Sequence, residues 1–213
     1  MRNPVERLTA RLPRPYRVAI DWAVTLVGAI AIVLAIKQWV VNPYRIPSSS
    51  MEPTLHCAKP DLGCQAAGSL LDGPDRVLAC RFCYRFGSPK RGDIIVFTPP
   101  PAAARGCGEG GTYVKRLIGL PGETIREDDS ATIWIDGKQL AEPYVPFASR
   151  SLDLRNNPTY VNKTWHVPKG QYFFMGDNRG SSCDSRAWGS VPRSGLIGKV
   201  VATYWPPRRI SIR

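Results

Sequence analysis

Thr132-Ile133-Trp134-Ile135-Asp136-Gly137-Lys138-Gln139-Leu140 is the stretch that decides the fold class. Asp136-Gly137 stands between two alternating runs. A two-residue Asp-Gly loop suits the right-handed twist of paired strands, because both of its positions take positive φ. A β-hairpin is predicted here. Working outward, Asp93–Phe97 (DIIVF), Tyr113–Ile118 (YVKRLI), Tyr172–Met175 and Leu196–Trp205 are further short apolar runs bounded by turn residues. That is the pattern of an antiparallel, mainly β domain. The 19 Gly and 20 Pro argue against a helix bundle. Pro60–Pro74, Pro99–Gly111 and Phe147–Asn162 are irregular and polar; the first two read as surface insertions and the third as a long loop. No stretch after residue 41 has a convincing helical period. The expectation is one β-rich domain over residues 42–213.

Ahead of that domain, residues 18–41 read VAIDWAVTLVGAIAIVLAIKQWVV, with no charge between Trp22 and Ile36. About 20 apolar residues of helix span a bilayer core, and flanking charges such as Asp21 and Lys37 can snorkel to its surface. Residues 1–17 carry Arg2, Arg7, Arg11, Arg14 and Arg17 against Glu6 alone. The positive-inside rule therefore puts residues 1–17 in the cytoplasm and residues 42–213 on the far side of a single-pass anchor. A cleavable leader fits less well, because Lys37, Gln38 and Trp39 follow the apolar run where small residues belong. The net charge of +12 admits nucleic acid, anionic lipid or an acidic substrate. Five of the arginines belong to the anchor's flank, and the basic stretches lack interleaved aromatics, so membrane lipid is expected as a partner and nucleic acid is not.

Chemistry-bearing motifs are sparse. P-loop and HExxH patterns are absent, and no cofactor or metal is expected. The two histidines, His56 and His166, lie in unrelated contexts. Three features remain. Ile46-Pro47-Ser48-Ser49-Ser50-Met51-Glu52-Pro53-Thr54-Leu55 is a serine run just beyond the anchor. Lys115 sits inside an apolar strand, on the face it shares with Tyr113 and Leu117, and lysines are seldom buried without a partner or a task. Met175–Arg186 (MGDNRGSSCDSR) is a polar loop dense in hydrogen-bonding groups. Taken singly, these are a loop, a sheet-edge lysine and a turn.

In order along the chain, the anchor, IPSSSMEPTL, RGDIIVF, YVKRLIGLPGETI and MGDNRGSSCDSR resemble the type I signal peptidases, membrane-bound Ser/Lys proteases that remove signal peptides from exported proteins. The resemblance implies a signal-peptidase-type antiparallel β-sheet catalytic domain behind one transmembrane helix. It implies Ser50 as nucleophile, Lys115 as general base, and the Ser48 hydroxyl with the Ser50 N–H as oxyanion hole. It further implies Ser182 as the group orienting the lysine, and Arg116, Asp177, Asp184 and Arg186 as supporting ion-pair positions. Cutting would follow Ala-x-Ala-type sequences in the signal peptides of secreted preproteins. Ile46, Pro47, Met51, Leu55, Tyr113 and Val114 would line the shallow apolar pockets. Ser49 and Cys183 are local departures that touch no catalytic role.

The residue types suit that chemistry. A serine hydroxyl needs a base to take its proton during attack. A lysine in water, with a pKa near 10.4, is almost wholly charged at neutral pH, and burial among apolar groups can lower such a pKa by ~3–5 units. An exported domain also makes disulfides the default for the six cysteines. If Lys115 and Ser182 meet, Cys107 and Cys183 come close enough to bond, and Cys57 and Cys64 form a local pair. Cys80 and Cys83 are open to a disulfide, free thiols or a zinc site shared with Cys57 and Cys64 in the cysteine-rich insertion around residues 57–83. Two other readings stand beside the leading one: a self-cleaving Ser/Lys repressor, and a tethered binding module with a cysteine knuckle.

Overall fold

A computed structural model of the chain describes residues 13–57, 73–107 and 111–213. The chain divides into two compact units, Met1–Val41 and Asn42–Arg213. In the first, helix α1 (Arg14–Trp39) starts four residues before the predicted span. Pro15 lies in its first turn, where a missing N–H costs no helical bond. The stretch Arg14–Ala35 is long and apolar enough to cross a membrane, and none of it is buried within the chain. Its large side chains are exposed, among them Trp22, Leu26, Val27 and Leu34.

Among the described residues twelve strands follow, all within the second unit but for the first residue of β1: β1 (Val41–Arg45), β2 (Arg76–Cys80), β3 (Ile94–Phe97), β4 (Tyr113–Gly119), β5 (Thr124–Glu127), β6 (Ile133–Ile135), β7 (Lys138–Gln139), β8 (Thr164–His166), β9 (Gln171–Met175), β10 (Val191–Pro192), β11 (Leu196–Trp205) and β12 (Ser211–Ile212). The larger sheet runs β1-β2-β11-β3-β4-β9-β10, with β12 also on β11, and the smaller runs β7-β6-β5-β8. The pairings from β2 to β12 are antiparallel. The architecture is thus the mainly β one expected from the alternating runs. The hairpin forms where Asp136-Gly137 predicts it, with φ of 47° and 79° at the two turn residues and Ile135 paired to Lys138.

Three buried clusters hold the sheets. Ile46, Met51 and Leu55 pack with Val77, Ile94, Val96 and Val200. Ile95, Phe97, Tyr113, Leu117, Phe174 and Trp188 make a second cluster, in which the Phe97 and Phe174 rings stack at 4.3 Å. The third joins the two sheets: Ile118, Phe173 and Met175 of the larger meet Ile125 and Ile133 of the smaller. Full burial of one such side chain contributes roughly 1.5–3 kcal/mol.

Two expectations are corrected. The stretch Phe147–Asn162, expected as a long loop, contains helix α4 (Phe147–Asn156). The buried residues of α4 are Ser149 and Asp153, so no apolar stripe betrays it. Within Pro99–Gly111, Pro101–Cys107 forms helix α3, with proline at its first position and three alanines behind it; the four-residue helix α2 (Cys83–Phe86) precedes it. Residues 58–72, which carry most of the expected insertion at Pro60–Pro74, lie outside the described residues.

Candidate active site

Ser50 lies in the short 3-10 turn Ser49–Met51. The turn is pinned by its apolar neighbours, since Met51 and Leu55 are 1% and 0% exposed in the first cluster. Ser50 itself is buried, and its Oγ is 3.2 Å from Ser48 Oγ. Lys115 occupies the middle of β4, opposite Ile95 on β3, and is 4% exposed. Tyr113, one alternation earlier on the strand, presents its ring 6.0 Å from Lys115 Nζ.

One cavity of about 440 Å³ brings these groups together. Ile46, Pro47, Ser48, Ser50, Met51, Tyr113, Val114 and Lys115 line it, and so do Cys107 and Cys183. Every residue expected on its apolar wall is there except Leu55. That side chain is turned into the core against the floor of the turn, where it is fully buried.

Ser182 reaches the site from the loop after β9. It is 6% exposed, and its hydroxyl has no hydrogen-bond partner among the described residues. Gly176 shows how close the two serines come. A Cβ at this glycine would run into both the Ser182 hydroxyl and the Ser50 carbonyl oxygen.

The ion-pair residues form two groups behind the cavity. Arg116 forks onto Asp177 through Nε at 2.8 Å and Nη2 at 2.6 Å, and stacks over the Tyr144 ring at 3.9 Å. Thr54, four residues past Ser50, donates to the same carboxylate at 2.5 Å. Asp184 accepts from Arg186 Nε at 2.9 Å and Nη2 at 3.1 Å, and from the Gly176 N–H at 3.1 Å. Burial alone would raise the Asp184 pKa. The charge and hydrogen bonds of Arg186, with the Gly176 N–H, hold the carboxyl below its ordinary value.

Arg186 also donates to Asp153 at 2.5 Å and to Glu127 at 3.3 Å. Three buried carboxyl groups therefore share one guanidinium. Desolvation, offset in part by Arg186 and reinforced by Asp153, pushes Glu127 up to about 7. Arg179, wholly buried, pairs with Glu142. Glu127, Glu142, Asp153 and Asn178 are the members of this neighbourhood that sequence reasoning missed. The sequence singles out the loop Met175–Arg186 as a whole but not Asn178, whose partners Ser49 and Ser50 lie some 130 positions away.

Two disulfides are present among the described residues. Cys107–Cys183 joins α3 to the Ser182 loop, the pairing expected from the places of the two cysteines near Lys115 and beside Ser182. Cys80–Cys83 is bridged as well, which takes both sulfurs out of the thiol and zinc alternatives. The pairing of Cys57 with Cys64 is not described, because Cys64 lies outside the described residues. No group of His, Cys, Asp or Glu that could hold a metal occurs among the described residues.

With the geometry in hand, the comparisons are specific. The family model for signal peptidase, peptidase S26, matches residues 19–205. The probable signal peptidase I-2 of Synechocystis sp. is 34% identical over 189 residues, covering 88% of this chain and 74% of that protein. The signal peptidase I of Leptolyngbya laminosa is 31% identical over 209 residues, covering 98% of this chain and 90% of its own. A solved signal peptidase I from Enterococcus faecalis aligns at 35% identity over 54% of this chain and 97% of its own, with a TM-score of 0.40.

Proposed function

The chain belongs to the signal peptidase family, peptidase S26, and from that membership we propose that it cuts signal peptides from secreted preproteins through a Ser50/Lys115 dyad. The observation that supports this most is the single cavity that Ser50, Ser48 and the buried Lys115 line together. Ser50 Oγ attacks the scissile carbonyl carbon while neutral Lys115 Nζ takes the hydroxyl proton. The oxygen that becomes negative is held by the Ser48 hydroxyl and the Ser50 N–H; losing one such donor costs about 3–4 kcal/mol. The tetrahedral species collapses as the lysine hands its proton to the departing amine, leaving an ester on Ser50. Water, deprotonated by Lys115, then releases the signal peptide as a carboxylate and returns Ser50 to its hydroxyl form.

Ser182 is the proposed group that orients the lysine amine; what supports this is a buried hydroxyl without a partner of its own among the described residues. Arg116–Asp177 and Asp184–Arg186 hold β4 and the Ser182 loop in register behind the dyad. The apolar wall of Ile46, Pro47, Met51, Tyr113 and Val114 suits small side chains, the Ala-x-Ala preference. A substrate strand would add beside the residues that line the cavity by β-augmentation. Helix α1 is the proposed single-pass anchor, with residues 1–17 in the cytoplasm and residues 42–213 on the opposite side, in contact with lipid.

Cleavage of a fluorogenic Ala-x-Ala peptide by purified chain in detergent tests the reading. Wild type should cleave, while Ser50→Ala, Lys115→Ala and Lys115→Arg should not, because a guanidinium does not give up its proton. A folded wild type that leaves the peptide intact, or an active Lys115→Arg enzyme, would sink the assignment.

A further inference from the structure

Asn178 holds the turn that carries Ser50 through both its side chain and its backbone. Asn178 donates from Nδ2 to the Ser49 carbonyl at 3.1 Å and from its backbone N–H to the Ser50 carbonyl at 3.1 Å. Its side-chain oxygen accepts from Ser149 Oγ at 3.3 Å, and Ser149 is buried on α4. Ser149 Oγ is also 3.5 Å from the Asp177 carbonyl. Helix α4 therefore fixes which way the Asn178 amide faces, and the residue grips two successive carbonyls of the turn, Ser49 through its side chain and Ser50 through its backbone.

Covalent geometry gives the first of these bonds its consequence. The Ser49 carbonyl and the Ser50 N–H belong to one planar trans peptide, so they point in opposite directions. Holding the carbonyl on one side aims the N–H on the other. The Ser49 oxygen also accepts from the Glu52 N–H at 3.0 Å. Both of its acceptor sites are thereby filled, and the peptide plane has two fixed points instead of one. An unbraced three-residue 3-10 turn would have only the second.

We infer that Asn178 is a positioning residue that orients the Ser49–Ser50 peptide plane so that the Ser50 N–H meets the developing oxyanion. The inference rests on the reading of that N–H as half of the oxyanion hole. An amide is needed at position 178, because it must offer a donor to the Ser49 oxygen and an acceptor to Ser149. Aspartate has the same shape but turns a carboxylate oxygen toward a carbonyl. A donor aimed where charge develops acts on the transition state and not on the bound substrate. Losing its aim should therefore appear in kcat.

The test compares full-length wild type, Asn178→Asp, Asn178→Ala, Ser149→Ala and Ser50→Ala in detergent, each checked for folding by circular dichroism. Two ligands are used: a peptide aldehyde ending in Ala-x-Ala, whose adduct with Ser50 bears an oxyanion, and the corresponding peptide alcohol, which forms none. Asn178→Asp and Asn178→Ala should lower kcat roughly 10–100-fold, below the 10²–10³-fold of a donor removed outright, with KM within about threefold. Aldehyde affinity should fall in parallel and alcohol affinity should stay unchanged. Ser149→Ala should fall the same way by a smaller factor. The proposal is overturned if folded Asn178 variants keep kcat within about threefold, or if aldehyde and alcohol affinities fall together. Should the Asn178 variants not fold, an unchanged kcat in Ser149→Ala overturns it. A folded wild type without activity would remove the dyad reading itself, and that outcome is visible before any variant is compared.

Discussion

Replacing Gly176 by alanine probes how closely Ser50 and Ser182 approach. Gly176 has no positive φ, so alanine is forbidden there by space and not by backbone conformation. An added methyl would lie 2.6 Å from Ser182 Cβ, 0.8 Å inside the 3.4 Å at which ordinary contact begins, and nearer still to the Ser182 hydroxyl and the Ser50 carbonyl oxygen. The carbonyl cannot swing aside, because Asn178 N–H holds it. Gly176 cannot retreat freely either, since its own N–H is bonded to Asp184. Overpacking of this kind costs about 1–3 kcal/mol, which for a chain of this size lowers Tm by a few to about 10 °C. Displacing reacting groups by around 1 Å costs on the order of 10²-fold in rate, so Gly176→Ala should fold and lose about two orders of magnitude in kcat on the Ala-x-Ala peptide. Gly106→Ala is the control: it lies in α3 with nothing within 4 Å of the new methyl, and should be neutral or stabilising. A Gly176→Ala enzyme with wild-type kcat and Tm would refute the close approach of the two serines.

Arg186→Met should destabilise by about 3–5 kcal/mol, because it strands the buried Asp184, Asp153 and Glu127 without their guanidinium; a chemical denaturation midpoint unchanged from wild type would refute the shared-guanidinium account. Glu127, raised from 4.5 to about 7, binds its proton more tightly folded than unfolded. Its contribution is therefore full below about pH 4.5 and lost as the pH rises through about 7. Glu127→Gln should flatten that part of the stability profile, and an unaltered pH dependence of unfolding would count against the burial argument. Removing the Cys107–Cys183 bridge by a double serine substitution opens a span of 76 residues. It should cost about 2–4 kcal/mol and lower kcat through the freed Ser182 loop; unchanged stability and kcat would show that the bridge carries neither.

The elements legible in the sequence are those whose apolar pattern faces a core. β3, β4, β9 and β11 have dense Ile, Val, Phe and Tyr, and the β6–β7 turn has the residue pair its geometry demands. Helix α4 was illegible because its buried residues, Ser149 and Asp153, serve hydrogen bonds to Asn178 and Arg186. A periodicity of apolar residues does not see a polar interface. β5 and β8 span only four and three residues, too short for alternation to rise above chance. Ser50 and Lys115 were legible through their surrounding motifs and not through residue type, since a serine run and one strand lysine are ordinary. Glu127, Glu142 and Asp153 had no such flanking signal. Their significance comes from the buried arginines they meet: Arg186 lies 59 positions from Glu127 and 33 from Asp153, and Arg179 lies 37 from Glu142.

The place of β11 bears on when this protein becomes a hydrolase. β11 is inserted between β2 and β3, although it follows them by about a hundred positions in the chain. Its Val200 completes the apolar floor beneath Met51 and Leu55. A growing chain therefore contains the serine and lysine of the proposed dyad long before it contains the strand that levels the ground under them. Until residue 205 has been made and threaded between its neighbours, β2 and β3 offer open edges, and the serine turn rests on half a foundation. Non-local pairing of this kind is the slow part of folding. The floor under the serine turn is thereby complete only when β11 has paired with both neighbours.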